Sequence, residues 1–270
     1  MSSRVGSAEE IVASGEVGGS LPLATSGEDS PNSGLPTHDD VVLRAAQALR
    51  TGQVVAIPTD TVYGLAAAIN RPDAIERLYA IKGRPDEKAI PVLISDPVQV
   101  RSLTPRLSSI AAHLARSFWP GALTLVLAAL PDLPRGVTTV SRDGLQTVAV
   151  RVPDHGLARA IIAAAGGALA VTSANRSGDA PALEADEVRG LVLSHPVLVI
   201  DGGRALRSVP STIVEATSEV PEILREGAIP ATAIAAAVAD IEPIAGAEMR
   251  ARYDQRMMKQ ERRDPPDVTR

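Results

Sequence analysis

The sequence predicts an α/β layer fold in which a twisted, mixed sheet is flanked by helices. Three observations carry this expectation. Apolar runs of strand length alternate with segments whose apolar residues recur every three or four positions. Gly, Pro, Asn and Asp cluster between these segments. Apolar residues make up 45% of the 270 residues but aromatic ones only 2%, so the core must be built of Ala, Val, Leu and Ile.

Residues 1–36 are rich in Ser, Gly and Glu without apolar periodicity, and are expected to be disordered because they bury too little surface to offset their ordering entropy. Order is expected from Thr37. Thr37 and Asp40 have the spacing of a capping box, Val42, Ala45, Ala46 and Leu49 form one helical face, and Gly52 ends the helix. Gln53–Ile57 reads as a buried strand stopped by Pro58. Helical patterns follow near 72–82, 106–118, 155–165 and 184–193. Strand-like runs are Pro91–Ser95, Leu123–Leu127, Thr147–Val152, Ala168–Thr172, Val197–Ile200 and Thr212–Val214. An Ala-rich helix candidate, Ala231–Ile241, precedes a polar tail. The expected organisation is one domain at 37–229, preceded by the segment 1–36 and followed by a helical, basic extension at 230–270.

Composition removes whole classes of chemistry. The chain has no cysteine, which excludes disulfide scaffolds, thiolate zinc sites, iron–sulfur clusters and cysteine nucleophiles. No apolar run approaches the ~20 residues of a membrane helix. No basic start leads into an apolar stretch, so a cytoplasmic location is expected. The net charge of −5 is unevenly distributed: residues 1–40 carry one Arg against seven acids, and residues 249–270 carry seven bases against four acids. The body between them is near neutral, which argues against wholesale nucleic-acid binding. The basic tail reads either as a solvated, partly helical extension or as a weak RNA contact.

Three stretches look chemical. Pro58-Thr59-Asp60-Thr61-Val62-Tyr63-Gly64-Leu65 packs hydroxyls at a strand end; it would ligand a small polar molecule or simply form a turn held by local hydrogen bonds. Lys82-Gly83-Arg84-Pro85-Asp86-Glu87-Lys88 holds two of the three lysines in a chain otherwise supplied with arginine. An ammonium is a compact point charge suited to polyphosphate, although Lys82 by itself would also serve the negative end of a helix. Val171-Thr172-Ser173-Ala174-Asn175-Arg176-Ser177-Gly178 follows a strand, where open α/β sheets bind ligands, and is also an ordinary loop composition. Arg151 lies within the apolar strand Thr147–Val152 and needs a partner, either a bound carboxylate or an internal Asp or Glu. Ser211-Thr212 opens a strand after Asp201-Gly202-Gly203, and Arg225 is a candidate clamp for a phosphate or an adenine face, or a surface ion pair. There is no Gly-x-x-x-x-Gly-Lys-Ser/Thr loop, no Gly-x-Ser-x-Gly elbow and no metal-ligand spacing among the four histidines, so no metal-ligating residue is assigned.

In this order, and together with Phe118-Trp119-Pro120-Gly121-Ala122-Leu123-Thr124, Ser211-Thr212-Ile213-Val214 and Ile223–Gly227, these stretches resemble the YrdC-like family of threonylcarbamoyl-AMP synthases across nearly all of 37–229. The resemblance implies a sheet wrapped around a deep, positively lined ligand cavity. It also implies a nucleotidyltransferase that condenses L-threonine, bicarbonate or CO₂ and ATP into L-threonylcarbamoyl-AMP and pyrophosphate. The product serves N6-threonylcarbamoyl modification of adenosine 37 in tRNA and passes to threonylcarbamoyl-transfer proteins.

Position by position, the resemblance assigns threonine contacts to Thr61, Arg151 and Ser211, and to Val171 through its backbone. It assigns ATP contacts to Arg84, Lys88, Thr147, Ser173 and Arg225, with Asn175 and Lys82 beside them. Lys82 and Arg84 are expected to take part in catalysis by neutralising the triphosphate, and Mg²⁺ is expected to accompany it. Two positions depart from the family pattern: Lys88-Ala89-Ile90 stands where many members have Asn-Pro-Leu, and Pro181 where some offer a hydroxyl. Only about 40 residues follow Gly227, which matches the short, single-domain type. Three rival readings are an RNA-binding YrdC-like module without adenylating activity, a carbamoyl-transfer domain like that of hydrogenase-maturation proteins, whose cysteine motifs this chain lacks, and a purely regulatory or structural role.

Overall fold

A computed structural model describes residues 10–12, 37–83, 89–141, 143–192 and 195–263. In chain order the elements are β1 (Glu10–Val12), α1 (His38–Arg50), β2 (Val54–Ile57), β3 (Gly64–Ala68), α2 (Pro72–Lys82), β4 (Val92–Ile94), α3 (Ser109–Phe118), β5 (Leu123–Ala128), β6 (Thr138–Val140), β7 (Gln146–Arg151), α4 (Gly156–Ala164), β8 (Ala168–Ser173), α5 (Ala185–Leu191), β9 (Val197–Asp201), β10 (Thr212–Glu215), β11 (Glu222–Arg225), α6 (Ala231–Ala239) and α7 (Pro243–Arg263). The expectation of disorder over 1–36 does not hold at Glu10–Val12, which pairs in parallel with β9. The edge of β9 offers backbone groups that any short extended segment can bond. The remainder of 1–36 lies outside the described residues.

The strands form one mixed sheet in the order β1-β9-β2-β3-β8-β4-β7-β5-β10-β11, with β6 paired to β7. The β1–β9, β2–β9, β4–β7 and β5–β10 pairs are parallel and the others antiparallel. The capping box forms as its spacing predicts: Asp40 N–H donates to Thr37 Oγ1 at 3.2 Å and Thr37 N–H to Asp40 Oδ2 at 3.0 Å.

Because side chains alternate between the faces of a strand, each central strand feeds two cores. Val54 and Ala56 of β2, Leu65 and Ala67 of β3, and Val197 and Val199 of β9 join one core, which α2, α3, α5, α6 and α7 cover. Val55, Ile57, Ala66, Ala68, Leu198 and Ile200 join a second core beneath α1 and α4. This second core spans only β9, β2, β3, β8 and Leu93 of β4. On the same face the remaining strands, β7, β5, β10 and β11, carry no helix among the described residues, and that asymmetry positions the site.

Gly64 opens β3 directly across from Ser173 of β8. A Cβ at Gly64 would sit 2.5 Å from Val171 Cγ1, a branched side chain with little freedom to turn away. Gly64→Ala is expected to cost about 1–3 kcal/mol of unfolding free energy, as overpacking does. Urea denaturation measures this, and Val171→Ala in the same chain is expected to recover part of it.

Candidate active site

The uncovered half of the sheet forms the floor of a pocket of about 440 Å³. Its floor residues have the strand parity opposite to the buried leucines and valines. On β7, Val148 and Val150 face the core while Thr147, Ala149 and Arg151 face the pocket; on β5, Leu123, Leu125 and Leu127 face the core while Thr124 and Val126 face the pocket. The turn after β2 supplies Thr59, Thr61 and Tyr63, the end of β8 supplies Val171, Thr172 and Ser173, and Ser211, Leu224 and Arg225 close the far side.

Arg151 is the last residue of β7 and is only 6% exposed. Its Nη2 donates to Asp60 Oδ1 at 2.5 Å, its Nη1 to Thr61 Oγ1 at 2.9 Å and its Nε to the Gly121 carbonyl at 2.9 Å. The partner left open by the sequence is therefore an internal carboxylate. A guanidinium has five N–H donors, and these bonds use one on each nitrogen, so Nη1 and Nη2 each keep a donor for a ligand in the pocket. Burial pulls the Arg151 pKa down, Asp60 opposes the shift, and the positive fields of Arg225 and Arg207 add to it. Two guanidinium groups, Arg151 and Arg225, against one buried carboxylate make the pocket attractive to an anion.

Around Thr61, the Thr59 hydroxyl donates to the Val62 carbonyl at 2.6 Å and lies 3.0 Å from Thr61 Oγ1. Tyr63, buried, donates to the Gly203 carbonyl at 2.8 Å and accepts from Gly202 N–H at 3.2 Å, joining this turn to the Asp201-Gly202-Gly203 turn. On the far side, Ser211 Oγ is 2.8 Å from Thr124 Oγ1, and Arg225 Nη2 donates to the Ser211 carbonyl at 2.8 Å. Thr147 donates to the Thr139 carbonyl at 3.3 Å. Val171 N–H is bonded to the Pro91 carbonyl at 2.8 Å, so a backbone contact from Val171 to a ligand has to use its carbonyl.

Lys82 ends α2, where Gly83 closes the helix in the left-handed conformation at φ +57°. Its ammonium turns to the end of β8: Nζ donates to the Ser173 carbonyl at 2.8 Å, to Ser173 Oγ at 3.3 Å and to Asn175 Oδ1 at 2.5 Å. Ser173 Oγ donates to the same Asn175 Oδ1 at 2.6 Å, and Asn175 Nδ2 donates to the Asp179 carbonyl at 2.7 Å. The reading of Lys82 as no more than a helix cap thus gives way to a long-range cluster.

Of the residues singled out from sequence, Thr61, Thr147, Arg151, Val171, Ser173, Ser211 and Arg225 line one pocket, and Lys82 and Asn175, outside that lining, bond to Ser173; Lys82 itself lines a separate cavity with Gly83, Arg176, Ser177 and His195. Arg84 and Lys88 lie outside the described residues. Sequence reasoning did not single out Asp60 or Thr124. The signal for Thr124 was available, since it shares with Thr147 the pattern of a lone polar residue at alternate positions of an apolar strand. Among the described residues no three His, Asp or Glu side chains cluster as metal ligands, and no helix is long and apolar enough to cross a membrane.

Residues 47–227 match the Sua5/yciO/yrdC family model, described under telomere recombination. The chain belongs to this family. It is 39% identical over 207 residues to the threonylcarbamoyl-AMP synthase of Bacillus subtilis, covering 77% of this chain and 59% of that one. Over 186 residues it is 36% identical to the threonylcarbamoyl-AMP synthase of Vibrio vulnificus, covering 68% of this chain and 97% of that one. The structure of Pyrococcus abyssi Sua5 complexed with L-threonine superposes with a TM-score of 0.69 at 36% identity, covering 74% of this chain and 57% of that one. The chain therefore spans less than two thirds of the Bacillus and Pyrococcus proteins. Family membership bears out the expected resemblance, and the mixed sheet with flanking helices bears out the expected fold class.

Proposed function

We propose that this chain is a threonylcarbamoyl-AMP synthase, which condenses L-threonine, bicarbonate or CO₂ and ATP into L-threonylcarbamoyl-AMP and pyrophosphate. The observation that carries the reading is the convergence of Arg151, Thr61, Ser211 and Arg225 on one pocket that also holds Ser173, to which Lys82 and Asn175 bond. The names of its relatives and the threonine bound to the Pyrococcus protein support it. The pocket volume falls within the range of about 300–1,000 Å³ usual for small-molecule sites.

The threonine carboxylate pairs with the remaining donors of Arg151, and the hydroxyls of Thr61 and Ser211 read the amino acid's polar groups. Valine would leave those hydroxyl bonds unmade, which is the basis for rejecting it. The threonine amine adds to CO₂ and loses a proton, giving a carbamate. A carbamate oxygen then attacks the α-phosphorus of ATP, forming the mixed anhydride as the bond to pyrophosphate breaks. No side chain need become covalently attached; positioning and charge neutralisation lower the barrier. Lys82 and Arg225, with Arg84 and Lys88 by family resemblance, offset the charge that builds on the leaving pyrophosphate, while Thr147, Ser173 and Asn175 hold the nucleotide. Mg²⁺ would be brought in by the triphosphate and would offset part of its charge, alongside Lys82 and Arg225. The product would pass to the proteins that transfer the threonylcarbamoyl group to tRNA.

The deciding experiment is pyrophosphate release from ATP by the purified protein. Release is expected only when L-threonine and bicarbonate are both present; release independent of either would end the proposal. Within it, Thr124→Val removes the shorter of two hydrogen bonds at Ser211 Oγ, leaving the one from Arg225 Nη2 at 3.5 Å. It is expected to raise the threonine KM about five- to tenfold, the size of one lost hydrogen bond, with the ATP KM unchanged, as pyrophosphate-release kinetics at varied threonine would measure.

A further inference from the structure

The family match ends at residue 227, and α6 and α7 lie beyond it. They do not cover the pocket. Ile234 of α6 and Met249 and Tyr253 of α7 are buried in the core on the opposite face of the sheet. From there α7 reaches the strand that carries Arg225.

That strand, β11, is irregular. Arg225 pairs with Ile213 of β10 and Ile223 pairs with the adjacent Val214, so Leu224 is an extra residue in the ladder. An inserted residue of this kind bends the strand and re-aims its side chains. Here Leu224 and Arg225, neighbours that a regular strand would send to opposite faces, both line the pocket. Such a bulge at a sheet edge needs something to hold it, because a slip of one residue would turn Arg225 to the other face.

Helix α7 grips both sides of the irregularity. Arg256 Nη2 donates to the Leu224 carbonyl at 2.8 Å, and Arg256 Nη1 to Glu222 Oε1 at 3.3 Å. Tyr253 donates its hydroxyl to Glu226 Oε2, and Glu226 Oε1 in turn accepts Ala231 N–H at 2.9 Å. The residues on either side of Arg225 are thus tied to the C-terminal helices.

We infer that α7 holds the bulge that aims Arg225 into the pocket, making Arg256 and Tyr253 positioning residues for the nucleotide. The inference rests on the reading of Arg225 as an ATP ligand. Arg256 is partly exposed and touches no pocket residue except through the strand backbone, so Arg256→Ala is expected to leave the fold intact.

The test is calorimetric titration of the full chain and its variants with α,β-methylene ATP, which resists cleavage, and separately with L-threonine. Arg256→Ala is expected to weaken binding of the analogue about five- to tenfold and to change threonine binding less than twofold. Tyr253→Phe acts in the same direction, and Arg256→Lys, which keeps a donor, restores most of the affinity. In an Arg225→Ala background, Arg256→Ala is expected to add nothing. If Arg225→Ala weakens the analogue but Arg256→Ala does not, the positioning role falls and the nucleotide reading stands. If Arg225→Ala itself leaves the analogue unaffected, the assignment of Arg225 falls and the inference with it. Equal losses for both ligands, or a full Arg256 effect in the absence of Arg225, would mean general loosening and overturn the inference.

Discussion

Replacing Arg151 with alanine is expected to raise the KM for L-threonine about 100-fold, within the ~2–5 kcal/mol lost when one partner of a buried, hydrogen-bonded charge pair is truncated. It is also expected to destabilise the protein, because Asp60 and Arg151 are both nearly buried, with side chains 6% and 7% exposed, and Asp60 would keep its charge without a partner. Breaking such a pair costs about 3–5 kcal/mol. The two consequences can be separated. Adding Asp60→Asn to the alanine variant removes the orphaned charge and is expected to recover most of the stability, measured by urea denaturation, while the threonine KM from pyrophosphate-release kinetics stays high. A threonine KM that recovers along with stability would show that Arg151 acts on the fold rather than on the substrate. A KM that never rises would remove Arg151 from the site.

Much of this arrangement can be read from the chain, and the parts that cannot have identifiable causes. The elements with strong periodicity are where the pattern puts them, including the capped helix from His38 and the strand ending at Arg151. Strand β3 is different: Gly64-Leu65-Ala66-Ala67-Ala68 carries the residues of a helix rather than of a strand. It is extended because it lies between β2 and β8, where alanine on both faces lets α1 and α2 approach closely. Helix α7 reads as a polar tail, yet Ala245, Met249, Tyr253 and Met257 recur every four residues and form its inner face. The stripe is visible in retrospect, narrow enough to be masked by the surrounding charge.

The pocket was legible as a set of hydroxyl and cationic residues at strand ends. What assembles it is parity, which places Thr124, Thr147 and Arg151 on the one half of a sheet face without helices. Asp60 could be noticed only as part of a turn, since its partner lies 91 residues away. Its role depends on the β4–β7 and β4–β8 pairings that bring the two segments together, which are long-range contacts that local sequence does not encode.

The second large effect is expected at Lys82. Its side chain is buried, its ammonium bonds both the carbonyl and the hydroxyl of Ser173, and Asn175 shares the contact. This puts a positive charge one side chain away from the pocket, since Ser173 lines it. Lys82→Met keeps the apolar stem and removes only the charge and the donors. Ser173 and Asn175 retain their own 2.6 Å bond, so the loop after β8 is expected to stay folded. Turnover is then expected to fall about 100- to 1,000-fold, the usual loss when a preorganised donor to developing negative charge is removed. The threonine KM should remain within threefold, since the amino-acid end is untouched. Lys82→Arg is not expected to rescue activity, because a planar fork cannot reproduce a point charge that meets two oxygens of one serine and a third on Asn175. Steady-state pyrophosphate release with far-UV circular dichroism as the folding control measures all three. Turnover within threefold of the parent in Lys82→Met would place the charge outside the chemistry and leave the lysine as a structural strut between α2 and β8.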